Sequence, residues 1–136
     1  LIGATEHSTI LLVEDDQNLR FTIREILEKA KIRVLEAENG AEALKVLDST
    51  TKPLDLILLD LLMPVMNGFE FLQEIDETAH KSTPVLVLTG ADLSDEEQKF
   101  LASETLRVIE KGNDTVDTIA KNIESVVSQL SKVRPS

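Results

Sequence analysis

Five residues of this chain could together handle a phosphoryl group: Glu14, Asp15, Asp60, Thr89 and Lys111. Two carboxylates held ~5 Å apart repel by about 3 kcal/mol at an effective dielectric of ~20, so bringing Glu14, Asp15 and Asp60 together calls for a cation or for raised pKa values. The chain has no Cys, and its two His, His7 and His80, are far apart, so the available donors are oxygens. Such a set suits a hard cation, and few ligands with retained waters suit Mg2+ over Ca2+. The loop spacing of an EF-hand is absent from the sequence, which also disfavours Ca2+. A carboxylate beside Mg2+ can act as the nucleophile of phosphoryl transfer, where positioning and charge neutralisation supply most of the catalysis. Asp60 is the candidate, because it ends a central apolar run and is followed by Met63-Pro64 leading to Gly68. Asp15 would hold the metal, with Glu14 assisting directly or through water, and the Leu62 backbone carbonyl would add another oxygen. Thr89 would donate to the phosphoryl oxygens, Gly90 would leave room for the group, and Lys111 would balance its remaining charge.

Each of these residues alone has an ordinary structural explanation. A carboxylate after a strand is often a helix cap, and Asp16 fits that description. The case for a site rests on their convergence, and that depends on the elements between them. Thr9–Val13 is a continuous apolar run of the kind expected for a strand buried on both faces. Leu19, Ile23, Ile26, Leu27 and Ala30 then recur at helical spacing, with Arg20, Arg24, Glu25 and Glu28 on the other face. Ile32–Ala37 reads as a second strand, closed by Asn39-Gly40, a pair that accepts positive φ. A short helix over Ala41–Leu47, a strand over Leu54–Leu59 and a helix over Gly68–Glu77 follow. The next strand begins at Pro84 and runs to Leu88. Ser94-Asp-Glu-Glu97 is a capping-box signature opening a helix to about Ser103. Leu106–Ile109 reads as a fifth strand. The last helix is capped by Asp114 and carries a stripe of Val116, Ile119, Ile123, Val126, Leu130 and Val133, widened by Ala120 and Val127.

Five alternating strand–helix units predict an α/β fold: a doubly wound, five-stranded parallel sheet of order 2-1-3-4-5, flavodoxin-like, with right-handed crossovers. In that topology the crevice lies at the carboxyl ends of strands one and three. Glu14-Asp15, Asp60, Thr89 and Lys111 all sit at strand ends there. Residues 1–8 are expected to be an extension, 9–133 the folded domain and 134–136 a tail.

Composition bounds the partners. The 136 residues carry 14 Lys and Arg against 25 Asp and Glu, a formal charge of −11. Nucleic-acid binders normally draw affinity from a basic stripe, and here there is none, nor any Trp or Tyr on which bases could stack. Direct DNA or RNA binding is not expected. The apolar runs are too short to span a bilayer, so no membrane contact is expected, and without cysteine a cytoplasmic location is.

Leu11-Leu-Val-Glu-Asp15, Asp60-Leu-Leu-Met-Pro-Val-Met-Asn-Gly68, Leu88-Thr-Gly90 and Glu110-Lys111 resemble the motifs of response-regulator receiver domains. The resemblance covers roughly residues 9 to 130. It implies Asp60 as the phosphoacceptor, Glu14, Asp15, Asp60 and the Leu62 carbonyl around Mg2+, and Thr89 and Lys111 as the remaining active-site residues. It also implies a sensor histidine kinase or phosphotransfer domain as donor, and a downstream protein or effector domain that reads a change around the fourth helix and fifth strand. The final strand also resembles C-terminal receivers of hybrid sensor kinases. Two positions depart from the family pattern. Gly112 replaces the proline that usually follows the lysine through a cis peptide, so a trans bond is expected. Val108 replaces the aromatic switch residue. Family members tune loss of the phosphoryl group two residues after the aspartate and two after the threonine; Leu62 and Ala91 occupy those positions and imply a long-lived group.

Alternatives from other classes remain open at this stage. A pseudo-receiver that binds partners without phosphorylation would explain Gly112 and Val108, but not the intact set of acids, Thr89 and Lys111. A phosphate hydrolase would need an acid two residues after Asp60, where Leu62 stands. A flavodoxin-type redox protein lacks its phosphate loop here. The last helix is expected to bury its stripe on the sheet, its far end serving either a homodimer or a neighbouring domain.

Overall fold

Every residue of the apolar runs Leu56–Leu59 and Val85–Leu88 is buried, as required of strands covered on both faces. In the computed structural model, which describes residues 8–112 and 116–133, five strands form one parallel sheet: β1 (Thr9–Val13), β2 (Arg33–Ala37), β3 (Leu56–Asp60), β4 (Val85–Thr89) and β5 (Arg107–Glu110). Their order is β2-β1-β3-β4-β5, the predicted doubly wound, flavodoxin-like arrangement. Five helices alternate with them: α1 (Gln17–Lys29), α2 (Gly40–Ser49), α3 (Gly68–Ile75), α4 (Asp95–Glu104) and α5 (Val116–Val133).

Strand alternation splits the core in two. Leu11, Val13, Ile57, Leu59, Val85 and Val87 join Ala43, Leu47, Phe71, Leu72 and Leu101 from α2, α3 and α4. On the other face Ile10, Leu12, Leu56, Leu58, Leu86 and Leu88 join Ile23 and Leu27 of α1 and Ile119, Ile123, Val126 and Val127 of α5. Fully burying each such aliphatic side chain is worth about 1.5–3 kcal/mol. The stripe of α5 is therefore core as far as Val127; Asp114 and the side chains of Leu130 and Val133 lie outside the described residues. No helix among the described residues is long and apolar enough to cross a membrane.

Helix starts follow the caps. Asp16 accepts from the Leu19 N–H at 3.1 Å, and Ser94 and Glu97 complete the expected reciprocal box. Asn67 and Glu70 form a second one that the sequence reading did not pick out. Asn39 and Gly40 are a correction. Neither has positive φ; Asn39 caps α2 by accepting from the Glu42 N–H at 2.9 Å, and Gly40 matters for space, since a Cβ there would lie 2.9 Å from the Met66 carbonyl oxygen. The third helix ends two residues earlier than predicted, because Glu77 and Thr78 bond back to Glu74 and Ile75 in tighter turns.

Candidate functional site

Sheet register decides which strand-end residues meet. Val13 pairs with Leu59, so Glu14 stands level with Asp60. Asp60 pairs with Leu88, and Thr89 with Glu110, which puts Thr89 and Lys111 on the same rim. The structure brings together all five residues singled out above. Lys111 Nζ lies 2.9 Å from Glu14 Oε1 and 3.3 Å from Asp60 Oδ2. Its backbone N–H donates to the Thr89 carbonyl at 2.9 Å. Thr89 Oγ1 accepts from the Ala91 N–H at 3.0 Å, which leaves its own proton available to donate. Asp60 Oδ1 accepts from the Leu62 N–H at 3.3 Å. Asp15 is exposed, whereas Glu14, Asp60 and Thr89 are buried, so the crevice opens to solvent beside Asp15.

Two glycines near the site play different parts. At Gly68 a Cβ would fall 2.6 Å from the Asp60 carbonyl oxygen, so α3 can begin there only without a side chain. Gly90 has open space around it: a Cβ would meet only Lys111 Cδ, at 4.0 Å, so the room expected there does not depend on glycine. No cis peptide occurs among the described residues, and the Lys111–Gly112 bond is trans as expected.

Burial dominates the electrostatics. It pushes the Glu14 carboxyl up to about 7, against hydrogen bonds from Lys111 and the Asp16 N–H that favour the charged form. Burial also raises Asp60, with the Lys111 charge opposing. For Lys111 burial works downward, but its contacts with Glu14 and Asp60 outweigh it and the net direction is up.

A hard divalent cation fits these residues. One carboxylate oxygen from each of Glu14, Asp15 and Asp60 lies within 4.8 Å of the others. Glu14 Oε2 accepts from the Asp16 N–H at 3.0 Å, while the buried Oε1 has the Lys111 ammonium, at 2.9 Å, as its partner. Three converging carboxylates with a single ammonium among them leave net negative charge in an all-oxygen cluster, which a magnesium-type ion would balance.

The β3–α3 loop beside Asp60 carries visible strain. Val65 has φ 66°, and the Met66 N–H donates back to the Pro64 carbonyl at 2.7 Å, a three-residue turn that a β-branched residue disfavours. Its side chain is 82% exposed and has little packing to lose. Val65→Asn is expected to raise thermal stability, by up to about 1 kcal/mol, because Asn bears a positive φ at less cost than a β-branched residue. A lower melting temperature in calorimetry would contradict this.

One residue of the site was not legible. Arg20 reads as part of the solvent face of α1, yet its Nη1 donates to the Glu14 carbonyl at 2.6 Å and its Nε to Glu36 Oε1 at 3.1 Å. Its only sequence signal is a cation one turn after the Asp16 cap.

Residues 10–124 match the response regulator receiver domain family. Over 81 residues the chain is 42% identical to the transcriptional regulatory protein CpxR of Klebsiella pneumoniae, which covers 60% of this chain and 33% of CpxR. It is 38% identical over 82 residues to the autoinducer 1 sensor kinase/phosphatase LuxN of Vibrio campbellii, covering 60% of this chain and 9% of LuxN. The chain thus spans a third or less of the length of these curated relatives. Among solved structures, the non-phosphorylated HemR receiver domain of Leptospira biflexa superimposes with a TM-score of 0.78 at 32% identity, over 95% of this chain and 98% of that one. The chain belongs to the response regulator receiver domain family of two-component signalling.

Proposed function

We propose that residues 9–133 form a phospho-accepting receiver in which Asp60 takes a phosphoryl group from a phosphohistidine of a sensor histidine kinase or phosphotransfer domain. The observation that carries this reading is the Lys111 ammonium set between Glu14 and Asp60, with Thr89 on the same rim and Asp15 open to solvent. An Asp60 carboxylate oxygen bonds to phosphorus as the phosphorus–nitrogen bond breaks. The imidazole keeps the electron pair and takes a proton from solvent. Lys111 neutralises charge on the incoming group, and the Thr89 hydroxyl donates to one of its oxygens. Glu14, Asp15, Asp60 and the Leu62 carbonyl would hold Mg2+, which supplies charge neutralisation for the phosphoryl oxygens.

The test is intact mass after incubation with acetyl phosphate, with and without Mg2+, and with a histidine kinase as second donor. One added phosphoryl group that depends on Mg2+ is the expected result. A folded protein that gains no mass from either donor would support the pseudo-receiver reading instead.

The phosphoryl group is long-lived on this reading, because neither Leu62, 60% exposed at the mouth of the site, nor Ala91 can orient an attacking water. Leu62→Asn combined with Ala91→Glu is expected to speed hydrolysis on the order of tenfold, by supplying a group that positions water. An unchanged decay of the phosphorylated mass would refute this. Output runs through the cleft of about 500 Å³ between α4 and β5, whose lining joins Thr89 and Ala91 to Gln98, Thr105 and Val108. With valine at 108, no aromatic rotamer change takes part.

A further inference from the structure

The main chain at the end of β1 has a definite hydrogen-bond ledger. The Glu14 N–H donates to the Ala37 carbonyl at 3.0 Å, continuing the ladder with β2. The Asp16 N–H is taken by Glu14 Oε2, and the Asp16 carbonyl accepts from the Arg20 N–H at 2.9 Å, opening α1. The Glu14 carbonyl stands past the last β1–β3 pair, and the guanidinium of Arg20 supplies its donor at 2.6 Å. Arg20 is itself aimed by Glu36 on β2, which accepts from its Nε and, through the other carboxylate oxygen, from Arg24.

That carbonyl belongs to the Glu14–Asp15 peptide, which is planar and rotates as a unit. Holding its oxygen sets the rotation about the Glu14 Cα–C bond, and so the position from which the Asp15 side chain leaves the backbone. Asp15 is exposed, so burial does not hold its carboxylate over the cluster. A guanidinium can serve two acceptors in fixed geometry, as it does here for a carbonyl and a carboxylate.

We propose that Arg20, oriented by Glu36, is a positioning residue that fixes the Glu14–Asp15 peptide and thereby holds the Asp15 carboxylate in the cation cluster; the proposal rests on reading Glu14, Asp15 and Asp60 as that cluster. The competing role is a plain tether of α1 to β2. Arg24 separates the two, since it shares Glu36 but makes no hydrogen bond to the Glu14 carbonyl.

The test compares Mg2+ affinity, by titration calorimetry on the folded chain, for wild type, Arg20→Met, Arg20→Lys and Arg24→Met. Arg20→Met is expected to weaken binding about tenfold or more, as loss of an outer-shell partner does. Arg20→Lys, which keeps one donor, recovers part of that loss, and Arg24→Met stays within about twofold of wild type. Amide hydrogen exchange of the metal-free proteins gives a second readout. Arg20→Met speeds exchange at Asp16, whose N–H is held by Glu14 Oε2, while Leu11 and Leu12 stay protected, and Arg24→Met leaves Asp16 unchanged. Equal affinity losses in Arg20→Met and Arg24→Met, or no affinity loss in Arg20→Met, would overturn the proposal. If wild type takes up no Mg2+, the cation reading fails by itself, and the exchange data then decide: loosening specific to Arg20→Met retains the peptide-positioning role, and its absence overturns it.

Discussion

Asp60→Asn is expected to accept no phosphoryl group from acetyl phosphate and, in metal-free buffer near neutral pH, to melt at a higher temperature than wild type. The first effect is chemical, because the amide oxygen is not an effective nucleophile toward phosphorus. The second follows from where Asp60 sits. Its carboxylate is buried beside Glu14, and burial raises its pKa even with Lys111 at 3.3 Å. A group whose charged form is disfavoured by the fold costs stability while it is charged. A neutral side chain of the same shape removes that cost, since burial outweighs the ion pair in setting the direction of the Asp60 shift. Lys111 retains Glu14 at 2.9 Å, so its ammonium is not left alone.

The same reasoning fixes a pH dependence. Glu14 rises from 4.5 to about 7 on folding. Its contribution is therefore fully favourable below 4.5 and is lost as pH rises toward 7, where the buried carboxylate ionises. Metal-free wild type should lose stability across that window. Asp60→Asn should show a shallower slope, because the Asp60 charge is one of the causes raising Glu14. Mg2+ should raise the melting temperature of wild type more than that of the variant, since a ligand bound only by the folded state stabilises it. Thermal melts across pH, with and without Mg2+, read all three effects. A variant that melts below wild type in metal-free buffer would mean that the Lys111–Asp60 contact outweighs the burial cost.

Gly68→Ala is expected to be the more damaging substitution for the fold. The added methyl would stand 2.6 Å from the Asp60 carbonyl oxygen, 2.8 Å from Leu61 Cα and 2.9 Å from Leu61 Cδ2. The first two are backbone atoms, which cannot rotate aside. Gly68 also donates its N–H to the Leu61 carbonyl at 3.0 Å, so α3 is tied to the strand end it would have to leave. Overpacking against a fixed backbone typically costs about 1–3 kcal/mol, and the upper part of that range is expected here, a drop of several degrees in melting temperature. Phosphorylation should slow as well, since the clash falls on the main chain of Asp60 itself. Gly112→Ala is the control. No atom lies within 4 Å of its Cβ position and its φ is not positive, so reduced freedom of the unfolded chain should raise stability slightly. Equal melting temperatures for Gly68→Ala and wild type would show that α3 can move off the strand end without cost.

Much of this molecule was legible in its sequence. The strands expected over Leu54–Leu59 and from Pro84 to Leu88 form over Leu56–Asp60 and Val85–Thr89, because a continuous apolar run is best satisfied by burial on both faces. Ser94 and Glu97 marked the start of α4, since a cap is a local interaction readable from residues three apart. Parallel order followed from helices between successive strands, and with it the convergence of Glu14, Asp60, Thr89 and Lys111 on one rim. The ends of β3, α2, α3 and β5 differ from the expected ones by one or two residues, because the last residues of an element leave little mark on periodicity.

What only the tertiary structure decided was how main chain meets main chain and where charge is buried. Asn39-Gly40 looked like a turn by its residue types, whereas the close approach of Met66 is what requires glycine there. Arg20 looked like one more surface cation, because its partners, the Glu14 carbonyl just past β1 and Glu36 of β2, are announced by no local pattern. The pKa of Glu14 belongs to the same class. Sequence fixes its type and its place at a strand end, but the desolvation that moves it comes from the whole sheet closing around it.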